Sequence, residues 1–174
     1  MKWASAVSEQ SSLEDAIGEC VSGLQGQLGE EEPNLAVIFV SPHHQAGYDD
    51  IVPLVKQKLP SARVFGCSGG GIIGNGEEVE QRPGLSITAA VLPGVEIVEF
   101  HLDSDSVPDL DAGPSSWEDL VKVTDSQDPQ FVVLADPYSF PVQNLILGLD
   151  FAFGRAAKIG GLASGAQQQG GNAL

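Results

Sequence analysis

Leu35-Ala-Val-Ile-Phe-Val40 is a continuous apolar run set between Pro33 and Pro42. Its length and β-branched content read as a strand buried on both faces. A helix is expected over about Asp49 to Leu59, with Pro53 either delaying its start or kinking it. Ala62 to Ser68 reads as a second short strand, and it runs straight into Gly69-Gly70-Gly71. Strand, helix and strand at this spacing make a crossover unit with a parallel pair.

Outward from that unit, Trp3 to Ser8 alternates weakly and reads as a first strand. Ser11 and Glu14 have capping-box spacing, and Asp15 adds charge suited to a helix N-terminus. Leu13, Ile17, Val21, Leu24 and Leu28 then recur as one apolar helix face, with Gly29 placed to end it. Gly18, Gly23 and Gly26 each weaken that helix by about 1 kcal/mol relative to Ala, so it depends on packing. Downstream, Leu85 to Leu92 and Val95 to Leu102 flank Pro93-Gly94 and are expected to form a hairpin. Asp103 to Pro114 reads as an exposed acidic loop, and Ser115 or Ser116 as the cap of a helix through Trp117, Leu120 and Val121. Gln130 to Ala135 is a second buried strand, Pro141 to Phe153 a helix, and Ala157 to Ser164 a further strand.

The second half echoes the first. Val37 to Pro42 aligns with Val132 to Pro137, and Gly66-Cys67-Ser68-Gly69 aligns with Leu162-Ala163-Ser164-Gly165. The fold class expected is α/β: two related strand–helix–strand units plus a β-hairpin, as a mixed sheet or two packed sheets flanked by helices. We expect a single domain over residues 1–174, incomplete at its C-terminus, with repeat-like halves at about 1–103 and 114–174.

Composition bounds the function. The 174 residues hold 24 acidic and 8 basic side chains, a formal charge of −16, with 42% hydrophobic residues. That hydrophobic content suits a globular domain. Phosphate-rich partners need clustered Lys and Arg, so neither nucleic acid nor an anionic membrane is expected. No apolar run approaches the roughly 20 residues of a bilayer span, and no signal peptide is visible at the start. Two cysteines, Cys20 and Cys67, make no disulfide framework, which fits a reducing, cytoplasmic setting.

Several of these stretches together resemble a known family. Trp3-Ala-Ser-Ala6, Phe39-Val-Ser41, the stretch Gly66-Cys67-Ser68-Gly69-Gly70-Gly71-Ile72-Ile73-Gly74, then Glu78-Val-Glu80 and Gly160-Gly-Leu-Ala-Ser164-Gly165 together resemble the N-terminal FIST domain (F-box and intracellular signal transduction). The glycine-rich stretch with its nearby Glu-Val-Glu is the most specific part. The resemblance implies a sensory domain for small ligands such as amino acids, acting in signal transduction and followed in full-length proteins by a C-terminal FIST domain. It carries over no catalytic residue, so neither an enzyme nor a cofactor is expected.

The residues themselves point to a site. Cys67-Ser68-Gly69-Gly70-Gly71 lies past the carboxyl end of a strand, where parallel sheets place ligands. Successive glycine N–H groups there can form a nest for an anionic group. No Gly-Lys-Ser/Thr follows, so it is not a Walker loop, and a dinucleotide fingerprint lacks its strand-to-helix context. Ser164 and Gly165 are expected to face it from the second half, and Glu80 and Asp136 to supply the charge for an ammonium group. The bland alternatives are a tight turn at the glycines, a solvated acidic edge at Glu77, Glu78 and Glu80, and a helix cap at Asp136. Cys67 with His43 or His44 allows a thiol hydrolase or transferase, and a protein-interaction module without a ligand is the third reading. His43 and His44 show no zinc spacing, and Asp103, Asp105, Asp109 and Asp111 fail the calcium-loop pattern.

Overall fold

A computed structural model describes residues 1–173. It divides into two compact units, residues 1–95 with 163–173, and residues 96–162.

The first unit is built on a mixed four-stranded sheet. Its strands are β1 (Lys2–Ser8), β2 (Leu35–Val40), β3 (Arg63–Ser68) and β6 (Leu85–Val91), in the order β1-β6-β2-β3. β2 and β3 run parallel in a register that pairs Ile38 with Gly66. β6 is antiparallel to both β1 and β2. Helices α1 (Leu13–Leu28) and α2 (Ile51–Lys58) share one core with the sheet. Ala4, Ala6, Ile38, Val40 and Ile87 meet Ile17, Leu24 and Val55 there. The α1 N-cap is Ser12, one residue later than the spacing of Ser11 and Glu14 implies, and its Oγ accepts from Asp15 N. Pro53 falls in the first turn of α2, where its missing N–H costs no helical bond. A 3₁₀ segment, Pro42–Asp50, fills the gap before it.

The opposite face of the sheet carries a hairpin of β4 (Gly71–Gly74) and β5 (Glu77–Glu80). Asn75 and Gly76 form its turn with φ of 51° and 81°, the left-handed pair of a type I′ turn. Ile72 and Val79 are ladder partners and both are buried. Gly74 passes so close to the sheet that a Cβ would lie 2.8 Å from that of Ser86. Asn75 N donates to Ser5 Oγ at 3.1 Å and ties the turn to β1.

The hairpin expected over 85–102 is a correction. Pro93-Gly94 does turn, with Gly94 at φ 77°, but residues 95–102 form no strand. β6 already pairs with β1 on one edge and β2 on the other, so no ladder remains for the returning chain.

The second unit contains α3 (Pro114–Val121), β7 (Phe131–Ala135), α4 (Val142–Ala152) and β8 (Lys158–Leu162). Gly113, not Ser115 or Ser116, is the N-cap of α3, with Pro114 in the first turn. β7 and β8 form a parallel pair. Phe131, Val133, Leu145, Leu149 and Phe153 surround the fully buried Trp117, and the rings of Phe131 and Phe153 meet edge-on at 4.9 Å. Gly148 makes room for Trp117, since a Cβ there would lie 2.1 Å from the indole.

The registers also correct the Ser-Gly alignment. Gly66 stacks over the Ile38 carbonyl and Gly160 over that of Val133, so these two ladders match Gly66 to Gly160. Ser68 then matches Leu162, two residues short of Ser164. Ser164 and Gly165 belong to the first unit and lie beyond the end of β8.

Candidate ligand site at the glycine loop

Ser68 closes β3 and is fully buried. Parallel pairing of β2 and β3 brings their carboxyl ends together, so the glycine loop and the 3₁₀ segment after Val40 emerge side by side. Gly69 N donates to Val40 O at 2.9 Å, which anchors the loop to β2.

The remaining loop donors meet the chain's own residues 164–173. Gly70 N donates to Ser164 Oγ at 3.1 Å, and Ser68 N to Ala173 O at 3.0 Å. Ser68 Oγ donates to Asn172 Oδ1 at 2.8 Å and accepts from Ala173 N at 3.1 Å. Ser164 N returns a bond to Ser68 O at 3.2 Å, and Gly165 packs where a Cβ would fall 2.6 Å from the Ser68 side chain. Ser68, Gly69, Gly70, Ser164 and Gly165 are therefore assembled in one place. Gly71 pairs with Glu80 across β4–β5, and the Glu80 carboxylate lies 3.5 Å from where a Gly71 Cβ would be.

Asp136 lies in the other unit. Its buried carboxylate accepts from Tyr138 N at 3.3 Å and Ser139 Oγ at 2.6 Å, folding the turn that leads into α4. It does not cap α4, whose N-cap is Pro141 without a side-chain bond; it closes a local turn instead.

Burial governs the ionisation of the site. It pushes the Cys67 thiol up to about 11, so the thiol stays protonated near neutrality. It lowers the His44 pKa, with neighbouring His43 adding to the effect, and so disfavours the charged ring. Tyr48 is raised by burial first; the Ser68 side chain opposes this, and Cys67 adds to it. The Tyr48 hydroxyl thus lies beside Ser68, yet among the described residues it forms no hydrogen bond of acceptable geometry, and the same holds for His44 Nε2. His43 is exposed, with Nδ1 3.4 Å from Ser41 Oγ.

Tyr48, Asn172 and Ala173 are the residues beside Ser68 that sequence reasoning missed. A Tyr just past the end of a buried strand was an available signal for one of them. The Gly-Gly-Asn-Ala stretch carries none, because only the tertiary path returns it to Ser68. Two shallow clefts, of about 570 and 420 Å³, lie elsewhere: one near Asp109, Asp111 and Asn144, the other near Ser12, Gly47 and Leu54. Among the described residues no cluster of three or more His, Cys, Asp or Glu side chains suits a metal ion. No helix among them is long and apolar enough to cross a membrane.

Known proteins share this sequence pattern. The FIST N domain matches residues 34–173, from the start of β2 to the segment that seals Ser68. An uncharacterised protein of Mycobacterium tuberculosis (strain ATCC 25618 / H37Rv) is 26% identical over 170 residues, covering 98% of this chain and 43% of its own length. An uncharacterised protein of Mycobacterium bovis is 25% identical over 155 residues, covering 89% of this chain and 38% of its own. The chain thus spans less than half the length of these relatives. With the glycine stretch, its β2 anchor and the closing Ser-Gly all inside the matched region, the chain belongs to the FIST N domain family.

Proposed function

We propose that this domain is a non-enzymatic sensor of a small polar ligand such as an amino acid, acting in cytoplasmic signal transduction. The observation that carries the reading is Ser68, whose main-chain N–H and hydroxyl sit together at the carboxyl end of β3, both engaged by the chain's own Asn172 and Ala173. Cys67 to Gly71, Ser164 and Gly165 form the seat, and Glu80 stands beside it to meet an ammonium group. Family membership supports the sensory role. The raised thiol of Cys67 argues against a thiolate nucleophile, which works best with a depressed pKa. In a full-length protein the signal would pass to a C-terminal FIST domain, as the family resemblance implies. Titration calorimetry with a panel of amino acids and other small polar metabolites is the test. Heat with at least one of them is expected, and silence across the panel on a folded chain overturns the reading.

A protein-interaction module is the second reading. It is favoured by Val132 and Ile159, ladder partners on β7 and β8 that are 51% and 66% exposed.

A further inference from the structure

Residues 165–173, Gly-Ala-Gln-Gln-Gln-Gly-Gly-Asn-Ala, contain no large apolar side chain. Residues 167–170 are exposed. The described bonds that seat this segment on Ser68 run through Asn172 and Ala173, and Asn172 Oδ1 also accepts from Ala166 N at 2.9 Å. Hydrogen bonds are individually modest in net worth, and a glycine-rich stretch regains much entropy on release. A molecule that reproduces these bonds therefore competes on favourable terms.

The pattern is specific. Ser68 gives a hydroxyl donor to a carboxamide oxygen, a hydroxyl acceptor to an adjacent amide N–H, and a main-chain donor to the next carbonyl. All of these partners are uncharged. Among the described bonds none involves a cation, and the chain carries a net −16, so a seated carboxylate would find N–H and O–H donors but no countercharge. A neutral amide costs less to desolvate than a carboxylate does. The unpartnered Tyr48 hydroxyl beside Ser68 is a buried polar atom that awaits a bond.

We propose that Asn172 and Ala173 are an in-chain stand-in for the ligand. The site then takes a compact neutral molecule bearing a carboxamide next to an amide N–H, read by Ser68 with Tyr48 as a further partner. This rests on the small-ligand reading above and specifies its chemistry: binding exchanges the 165–173 segment for the ligand, and the freed segment is the signal.

The test is competition in the intact chain, with N-acetyl-asparaginyl-alanine amide as the probe. Asn172→Ala removes the internal carboxamide and leaves Ser68 in place, so it should bind the probe about 10-fold more tightly than the unaltered chain. Saturating probe on the unaltered chain should speed hydrogen exchange at Ala166 N, whose acceptor is Asn172 Oδ1. Ser68→Ala should abolish both effects. Equal probe affinity with and without Asn172, or an Ala166 amide indifferent to saturating probe, overturns the proposal. The exchange measurement decides alone if Asn172→Ala does not fold. A chain that binds members of the metabolite panel but fails these tests keeps the sensor reading and loses this one; a chain silent to panel and probe loses both.

Discussion

The β2–α2–β3 and β7–α4–β8 crossovers share a plan and differ in what covers them. Each has parallel strands, and each places a glycine of the second strand over a carbonyl of the first. β2 has β6 on its other edge, and no residue of β2 is exposed. β7 is hydrogen-bonded to β8 alone among the described strands, and one face of that pair is open at Val132 and Ile159. Parallel sheets are rarely left open on a face. The same local plan therefore yields a closed core in one unit and an uncovered apolar face in the other. A residue's worth follows from the layer above it.

The strongest way to break this comparison is to fill the shared glycine. A Cβ on Gly66 would lie 1.9 Å from Ile38 O, and one on Gly160 1.7 Å from Val133 O. Main-chain atoms cannot step aside, so Gly66→Ala and Gly160→Ala should each cost about 3 kcal/mol or more. Denaturation followed at Trp117 reads the second unit, and near-ultraviolet dichroism reads the whole chain. Gly160→Ala should move the Trp117 transition more than Gly66→Ala does, and equal shifts would show that the two crossovers fail as one.

Next comes the contrast in burial. Ile38→Ala in the closed core should cost about 2–5 kcal/mol, whereas Ile159→Ala on the open face should stay within about 0.5 kcal/mol. Urea midpoints for the two variants check this, and similar losses would mean that the β7–β8 face is covered in solution.

Alkali sharpens the comparison further, because both cysteines lie in the first unit. Burial raises Cys67 to about 11 and, with Glu19 adding, Cys20 to about 12. Raised folded values favour the protonated form. Their contribution is complete below the ordinary thiol value and is lost as pH climbs through 11 to 12. His44 behaves in the opposite sense on the acid side: its lowered folded value gives stability above its ordinary 6.5 that is lost as pH falls. Melting across pH should show an alkaline loss that Cys20→Ser or Cys67→Ser alters. An unchanged alkaline limb in both variants would contradict it. The smallest effect belongs to the α1 cap: Ser12→Ala should lower the first unit's stability by about 0.5–1 kcal/mol, read from the same melts.

Much of the fold was legible in the sequence, for reasons that differ by element. α1 announces itself through a long 3.6-residue period and Gly29, which ends it at φ 70°. β2, β3 and β7 are short apolar runs bounded by breakers. The β4–β5 hairpin carries the strongest short-range hairpin signal, Asn75-Gly76, but the run of glycines just before it resembles a loop and masks that signal. Residues 95–102 misled in the other direction, since their apolar content resembles a strand, while Phe100 and Leu102 pack individually against the second unit's core. Strand pattern describes a side chain's surroundings and says nothing about whether a ladder partner is free. At the site, Cys67 to Gly71 and the Ser164-Gly165 pair could be named from composition. The hold of Asn172 on Ser68 could not, because a contact spanning 104 positions leaves no local trace.

That span also sets an order of events during synthesis. The ribosome delivers Ser68 before the whole of the second unit and before Asn172, at about 5–20 residues per second. For roughly 5–20 s the newborn Ser68 has β2 beside it but neither Asn172 nor Ala173, so its hydroxyl and main-chain N–H face solvent until the whole second unit has been made.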